Sequence, residues 1–124
     1  MEIREAMSTE VLTVNPDRTL KEVAEHMAER NVGSAVVVDP EQPGPGIFTE
    51  RDLLHAVASG LSLGSEKVAD HLTSDGTFAE GGWSLDQAAN SMVRGGFRHL
   101  VVLEDNEPAG VLSMRDIVRS WAGE

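Results

Sequence analysis

Apolar positions along the chain switch between two spacings, and the switch occurs twice. "TLKEVAEHMAERN" (19–31) places Leu20, Val23, Ala24 and Met27 at helical intervals, and "SLDQAANSMVRGG" (84–96) does the same with Leu85, Ala88, Ala89 and Met92. Each stretch opens on a hydroxyl with Glu or Gln three residues later (Thr19 and Glu22, Ser84 and Gln87), a reciprocal cap for the first turn. Asn31 and either Gly95 or Gly96 suit left-handed helix ends. The spacing then changes to the unbroken β-branched runs "SAVVVD" (34–39) and "HLVVLE" (99–104), which predict strands. The turn-rich "PEQPGPG" (40–46) and "DNEPAG" (105–110) lead into short second strands, "GIFT" and "GVLS", and then into helices at 50–59 and 114–122. A short extended piece precedes each first helix: "VLTVN" (11–15) and a weaker "GTFAE" (76–80).

The predicted order is β-α-β-β-α, twice. An offset of 65 pairs Leu20 with Leu85, Ala24 with Ala89, Met27 with Met92 and Val36–Val37 with Val101–Val102. After a hairpin one residue shorter, an offset of 64 pairs Gly46 with Gly110, Thr49 with Ser113, Arg51 with Arg115 and Asp52 with Asp116. The expected organisation is a first repeat over 1–60, a linker over 61–70 and a second repeat over 71–124. One such unit leaves a face of its sheet and helices uncovered, so a doubled unit is expected.

Composition narrows the function classes. The 124 residues suffice for one domain or two small fused halves, and 40% are apolar. There is no cysteine, hence no disulfide framework and no thiolate metal site. No apolar stretch approaches a membrane span, and "MEIREAMSTE" is too acidic for a signal peptide, so a soluble cytoplasmic protein is expected. The net charge of −11 argues against nucleic acid as a partner. The few cations are mostly arginines, however, and Arg51, Arg94, Arg98 and Arg115 lie in or beside the repeated stretches, where locally converging forks suit a phosphate.

"TERD" (49–52) and "SMRD" (113–116) admit two readings. A hydroxyl with an acid three residues on is a helix cap, and an acid there also suits the helix dipole. The cap alone does not require the preceding glycine or the arginine in both copies. In the second reading, a strand ending at a helix start offers backbone N–H groups to a phosphate. An aspartate accepts from ribose hydroxyls, a Thr or Ser hydroxyl donates to phosphate, and an arginine neutralises it.

On these residues the chain resembles a tandem cystathionine-β-synthase (CBS) domain pair, a Bateman module. "GFRHLVVLEDNEPAGVLSMRDIV" (96–118) carries the resemblance most closely and "NVGSAVVVDPEQPGPGIFTERDL" (31–53) carries it well. The implied fold class is α+β, with two β-α-β-β-α repeats packed as a pseudo-twofold pair. The implied function is a non-catalytic sensor binding an adenine nucleotide or S-adenosylmethionine in clefts between the repeats, often as a disc-like homodimer, with an unidentified effector protein as the output. The alternative is a structural or interaction module with no small-molecule ligand. The resemblance assigns ribose hydroxyls to Asp52 and Asp116, the ribose or phosphate to Thr49 and Ser113, and cationic contacts to Arg51 and Arg115. It places Arg98 and His99 at a phosphate position, whose first-repeat counterparts Gly33 and Ser34 carry no charge, so unequal clefts are expected. Thr13 and Val14, in "LTVN", would offer backbone groups to adenine. "GTFAEGG" (76–82) departs from that pattern, lacking a match for Pro16 and carrying Gly81 and Gly82.

Other chemistries have less support. His26, His55, His71 and His99 show no metal-ligand spacing, and "DNE" (105–107) lacks the glycine and the final glutamate of a calcium loop. No nucleophile elbow, Walker loop or dinucleotide fingerprint occurs, so no catalytic residue, cofactor or metal is assigned. Trp83 and Trp121 read as packing anchors, and Met7, Met27, Met92 and Met114 as core or interface fillers. Leu53, Leu54 and Val57 on one helix, and Ile117, Val118 and Trp121 on another, read as apolar faces for a partner copy.

Overall fold

A computed structural model of the chain describes residues 1–73 and 78–123. It contains two compact units, one of Leu12–Ser74 and one of Met1–Val11 with Asp75–Glu124. Each is a mixed α+β unit built on its own three-stranded sheet.

In the Leu12–Ser74 unit, β1 (Thr13–Val14) lies parallel to β2 (Ser34–Val37), which pairs antiparallel with β3 (Gly46–Thr49). All four residues of β2 are buried, as the unbroken apolar run requires of a central strand. α2 (Leu20–Arg30) buries Leu20, Val23 and Met27 and begins at the expected Thr19–Glu22 capping box. It ends at Asn31 in the left-handed conformation. α3 (Glu50–Ala58) follows β3 directly.

In the other unit, β4 (Phe78–Glu80) is parallel to β5 (His99–Glu104), and β5 pairs antiparallel with β6 (Glu107–Ser113). α4 (Leu85–Gly95) starts at the Ser84–Gln87 box and ends at left-handed Gly96, and α5 (Met114–Trp121) follows β6. The hairpin turn is tighter than "DNEPAG" predicts. Asp105 and Asn106 both have positive φ (54° and 63°), so two residues close it and Glu107–Gly110 join the strand. Of the expected "GTFAE" piece, Phe78–Glu80 form β4; Gly76 and Thr77 lie outside the described residues.

One of the two compact units is not contiguous in sequence. Residues 1–11 pack with the second repeat, and the 61–70 segment is part of the first unit's structure. Two short elements explain this: α1 (Ile3–Ala6) and a 3₁₀ turn at Val68–His71. Ile3 and Val68, 65 positions apart, are both fully buried. Val68 N donates to Arg18 O (2.8 Å) and Leu20 N to Glu66 O (3.0 Å); Ile3 N donates to Trp83 O (2.8 Å) and Leu85 N to Met1 O (3.1 Å). Each repeat's leading turn therefore docks against the start of the other repeat's first helix and satisfies N–H groups that a helix start leaves without partners. One turn is too short to leave a periodic signature.

Leu53 and Ile117 do not join the expected outer faces. Ile117 is fully buried, and Leu53 packs against the core of its own unit. Leu54, Val57, Val118 and Trp121 remain exposed.

Candidate functional site

The register of each hairpin brings the sequence-selected residues together. Ser34 pairs with Thr49 across β2 and β3, and His99 with Ser113 across β5 and β6. At both strand–helix junctions the first helical N–H bonds to the residue just before the central strand: Glu50 N donates to Gly33 O (3.0 Å) and Met114 N to Arg98 O (2.9 Å). Thr13 and Val14 pair with Val36 and Val37 on the opposite edge of β2, with Val14 buried and Thr13 exposed.

Both hydroxyl–acid motifs are complete capping boxes. Thr49 N and Thr49 Oγ1 donate to Asp52 Oδ2 (2.9 and 3.1 Å), and Thr49 Oγ1 accepts from Asp52 N (3.3 Å). Ser113 N donates to Asp116 Oδ2 (2.8 Å), and Ser113 Oγ accepts from Asp116 N (3.1 Å). Arg119 approaches Asp116 Oδ1 at 3.9 Å. The boxes hold each carboxylate at the start of its helix, beside N–H groups and on the positive dipole end.

The first motif opens on a cleft of about 490 Å³ within the Leu12–Ser74 unit, with Arg51 and Asp52 at one end. His55 and Ala56 of α3, Ser59 just beyond its end, and Leu61, His71, Leu72 and Thr73 complete the lining. Thr73 Oγ1 donates to Asp52 Oδ2, and His71 Nε2 pairs with Glu66 Oε1 at 2.8 Å. His55, His71 and Thr73 were not selected from the sequence. The i, i+3, i+4, i+7 relation of Asp52, His55, Ala56 and Ser59 was available there, but nothing local shows that residues 71–73 face it. Among the described residues, Thr13, Val14, Ser34 and Thr49 do not line this cleft.

A second cleft, of about 570 Å³, lies in the other unit beside α4, lined by Trp83, Gln87, Asn90, Ser91, Arg94, Gly95 and Phe97. Among the described residues, its lining includes none of Arg98, His99, Ser113, Arg115 or Asp116. Within that unit, Gly81, flagged as a departure from the repeat, makes room for an ion pair. Arg4 meets Glu104 at 2.8 Å, and a Cβ at residue 81 would stand 2.5 Å from Glu104 Oε1. No group of three or more potential metal-binding His, Cys, Asp or Glu residues occurs among the described residues, and no helix is long and apolar enough to cross a membrane.

The sequence model of the CBS domain matches twice, over residues 3–59 and 68–123. An uncharacterized 17.7 kDa protein of Acidianus ambivalens is 34% identical over 119 residues, covering 95% of this chain and 71% of its own length. The chain spans 44% and 61% of the length of two further curated relatives. A CBS-domain-containing protein of Agrobacterium tumefaciens superimposes with a TM-score of 0.86 at 31% identity, covering 97% of this chain and 92% of its own. A CBS domain protein of Pyrobaculum aerophilum, solved in complex with AMP, gives 0.84 at 29% identity with full coverage of both chains.

Proposed function

The chain belongs to the CBS domain family, with two copies of the domain in tandem, and we propose that it is a non-catalytic sensor of an adenosine ligand. The observation that carries the reading is the Asp52 cleft. A carboxylate fixed at a helix start, an adjacent arginine and two histidines share one open space of about 490 Å³. That combination suits a nucleoside phosphate, with Asp52 accepting from the ribose diol and Arg51 meeting the anion. The AMP complex of the Pyrobaculum aerophilum relative supports the choice of adenosine. Asp116, Ser113 and Arg115 repeat the motif, with Arg98 and His99 beside them where the first copy has Gly33 and Ser34. In this reading Arg98 adds phosphate affinity to the second site alone, and Thr13 and Val14 offer backbone groups to adenine. The exposed Leu54, Val57, Val118 and Trp121 are assigned to a partner copy.

A second reading has a specific observation in its favour. Both hydroxyl–acid pairs are complete caps, which accounts for these residues in a purely structural or interaction module. A thermal-shift series with AMP, ADP, ATP and S-adenosylmethionine separates the two. A ligand at about 100 times its Kd adds about 2.7 kcal/mol of stability, which raises the melting temperature by several degrees. Flat curves at millimolar concentrations of all four ligands favour the structural module.

A further inference from the structure

Asp52 Oδ2 accepts from three donors: the Thr49 N–H, the Thr49 hydroxyl and the Thr73 hydroxyl. A carboxylate oxygen has two lone pairs, so this one is fully engaged. The two Thr49 contacts belong to the cap and come with the helix start. The Thr73 contact is different. It crosses from the segment that follows the 3₁₀ turn, and it reaches Asp52 from within the cleft that both residues line.

We infer that Thr73 is a built-in competitor for the ribose hydroxyls at Asp52, and so sets the affinity and the ribose selectivity of the first site. The inference rests on the adenosine-ligand reading above. A ribose diol that spans the carboxylate sets one hydroxyl on each oxygen, and at Asp52 a donor must leave Oδ2 for the second of them to bind. Thr73 N donates to Ile47 O at 2.9 Å, so the backbone of residue 73 is tied to the edge of β3. Its hydroxyl leaves by rotation about χ1, which for a β-branched side chain means a change of rotamer well. The contact that a ligand displaces belongs to the segment by which the chain leaves this unit. Occupancy of the site is thereby felt at Thr73, where the chain exits.

Titration calorimetry with AMP tests this on wild type, Thr73→Val, Thr73→Ala and Thr73→Ser, reading the binding event that Asp52→Asn removes. Valine and alanine delete the competing hydroxyl, and serine keeps it. The expected result is binding about tenfold tighter for Thr73→Val and Thr73→Ala, the scale of one hydrogen bond to a charged group, with Thr73→Ser near wild type. With 2′-deoxy-AMP, which has no diol, the gain shrinks toward none. AMP binding that is unchanged or weaker in both Thr73→Val and Thr73→Ala overturns the competition and leaves the adenosine reading standing. An AMP binding event that survives Asp52→Asn in full, or no binding of AMP, ADP, ATP or S-adenosylmethionine by any of the four proteins, overturns the adenosine reading of this site and the inference with it.

Discussion

Gly46 lies beneath Leu72: a Cβ at residue 46 would stand 2.5 Å from Leu72 Cδ1. The relationship recurs at Gly110, where a Cβ would stand 2.7 Å from both Met7 Sδ and the Ser8 carbonyl oxygen. These are the two glycines that open the repeated motif. The residues above them follow the two docked turns, which are bonded to the same strands: Thr73 N donates to Ile47 O (2.9 Å), and Ser8 N to Val111 O (2.9 Å). The glycine is thus accounted for by the crossing segments. Gly46→Ala presses on the end of a flexible side chain, whereas Gly110→Ala also meets backbone. Overpacking of that kind costs about 1–3 kcal/mol, and Gly110→Ala is expected to be the costlier of the two by chemical denaturation.

Asp52→Asn and Asp116→Asn separate the cap from the ribose role. Asparagine keeps a hydrogen-bond acceptor for the cap but lacks the charge that makes a hydrogen bond worth about 1.5–3 kcal/mol. Calorimetry with AMP is expected to show one binding event lost in each variant, with the unliganded melting temperature little changed. Ser113→Ala, by contrast, removes the cap hydroxyl and is expected to cost about 0.5–2 kcal/mol of stability. If both aspartate variants bind AMP as wild type does, the motif is a helix cap only.

Glu22 gives a pH signature. Its carboxyl is held below the usual glutamate range, first by the Thr19 backbone N–H and then by the Arg18 guanidinium and the Thr19 hydroxyl. A pKa lowered in the fold means stability that is present above the unfolded-state pKa and lost as pH falls through the folded one. Denaturation midpoints of wild type and Glu22→Gln are therefore expected to differ at neutral pH and to converge under acid. Curves that stay parallel throughout would remove Glu22 from the acid response.

Light scattering at micromolar concentration is expected to give twice the 13.3 kDa chain mass. Leu54 is 66% exposed and Trp121 61%, large apolar side chains of the kind that meet a partner. Leu54→Glu and Trp121→Glu are expected to shift the mass toward the monomer without lowering the melting temperature of the isolated units. A monomeric wild type refutes the dimer.

What the sequence determined by itself is everything that closes within a few residues. The four capping boxes named from the sequence, at Thr19, Thr49, Ser84 and Ser113, join residues three apart, and their partners in the structure are those the spacing names. The central strands and the αL ends at Asn31 and Gly96 are legible for the same reason, since period and backbone freedom are local properties. The register that sets Ser34 opposite Thr49 and His99 opposite Ser113 came from the structure, since the turn at Asp105–Asn106 is tighter than its sequence predicts and a hairpin's register follows from its turn. The tertiary structure alone decided which half each leading turn joins. Ile3 falls in the stretch read as the first repeat and Val68 in the stretch read as the linker, and only their buried positions beside Trp83 and Arg18 reveal where each packs. Leu53 and Ile117 share an apolar stripe with exposed neighbours, and three-dimensional packing alone divides core from surface within it. The Asp52 cleft was half visible: Arg51 and Asp52 are in the motif, whereas His71 and Thr73 reach it from some twenty residues away. That approach depends on the burial of Val68 and the fit of Leu72 over Gly46, and no local spacing encodes it.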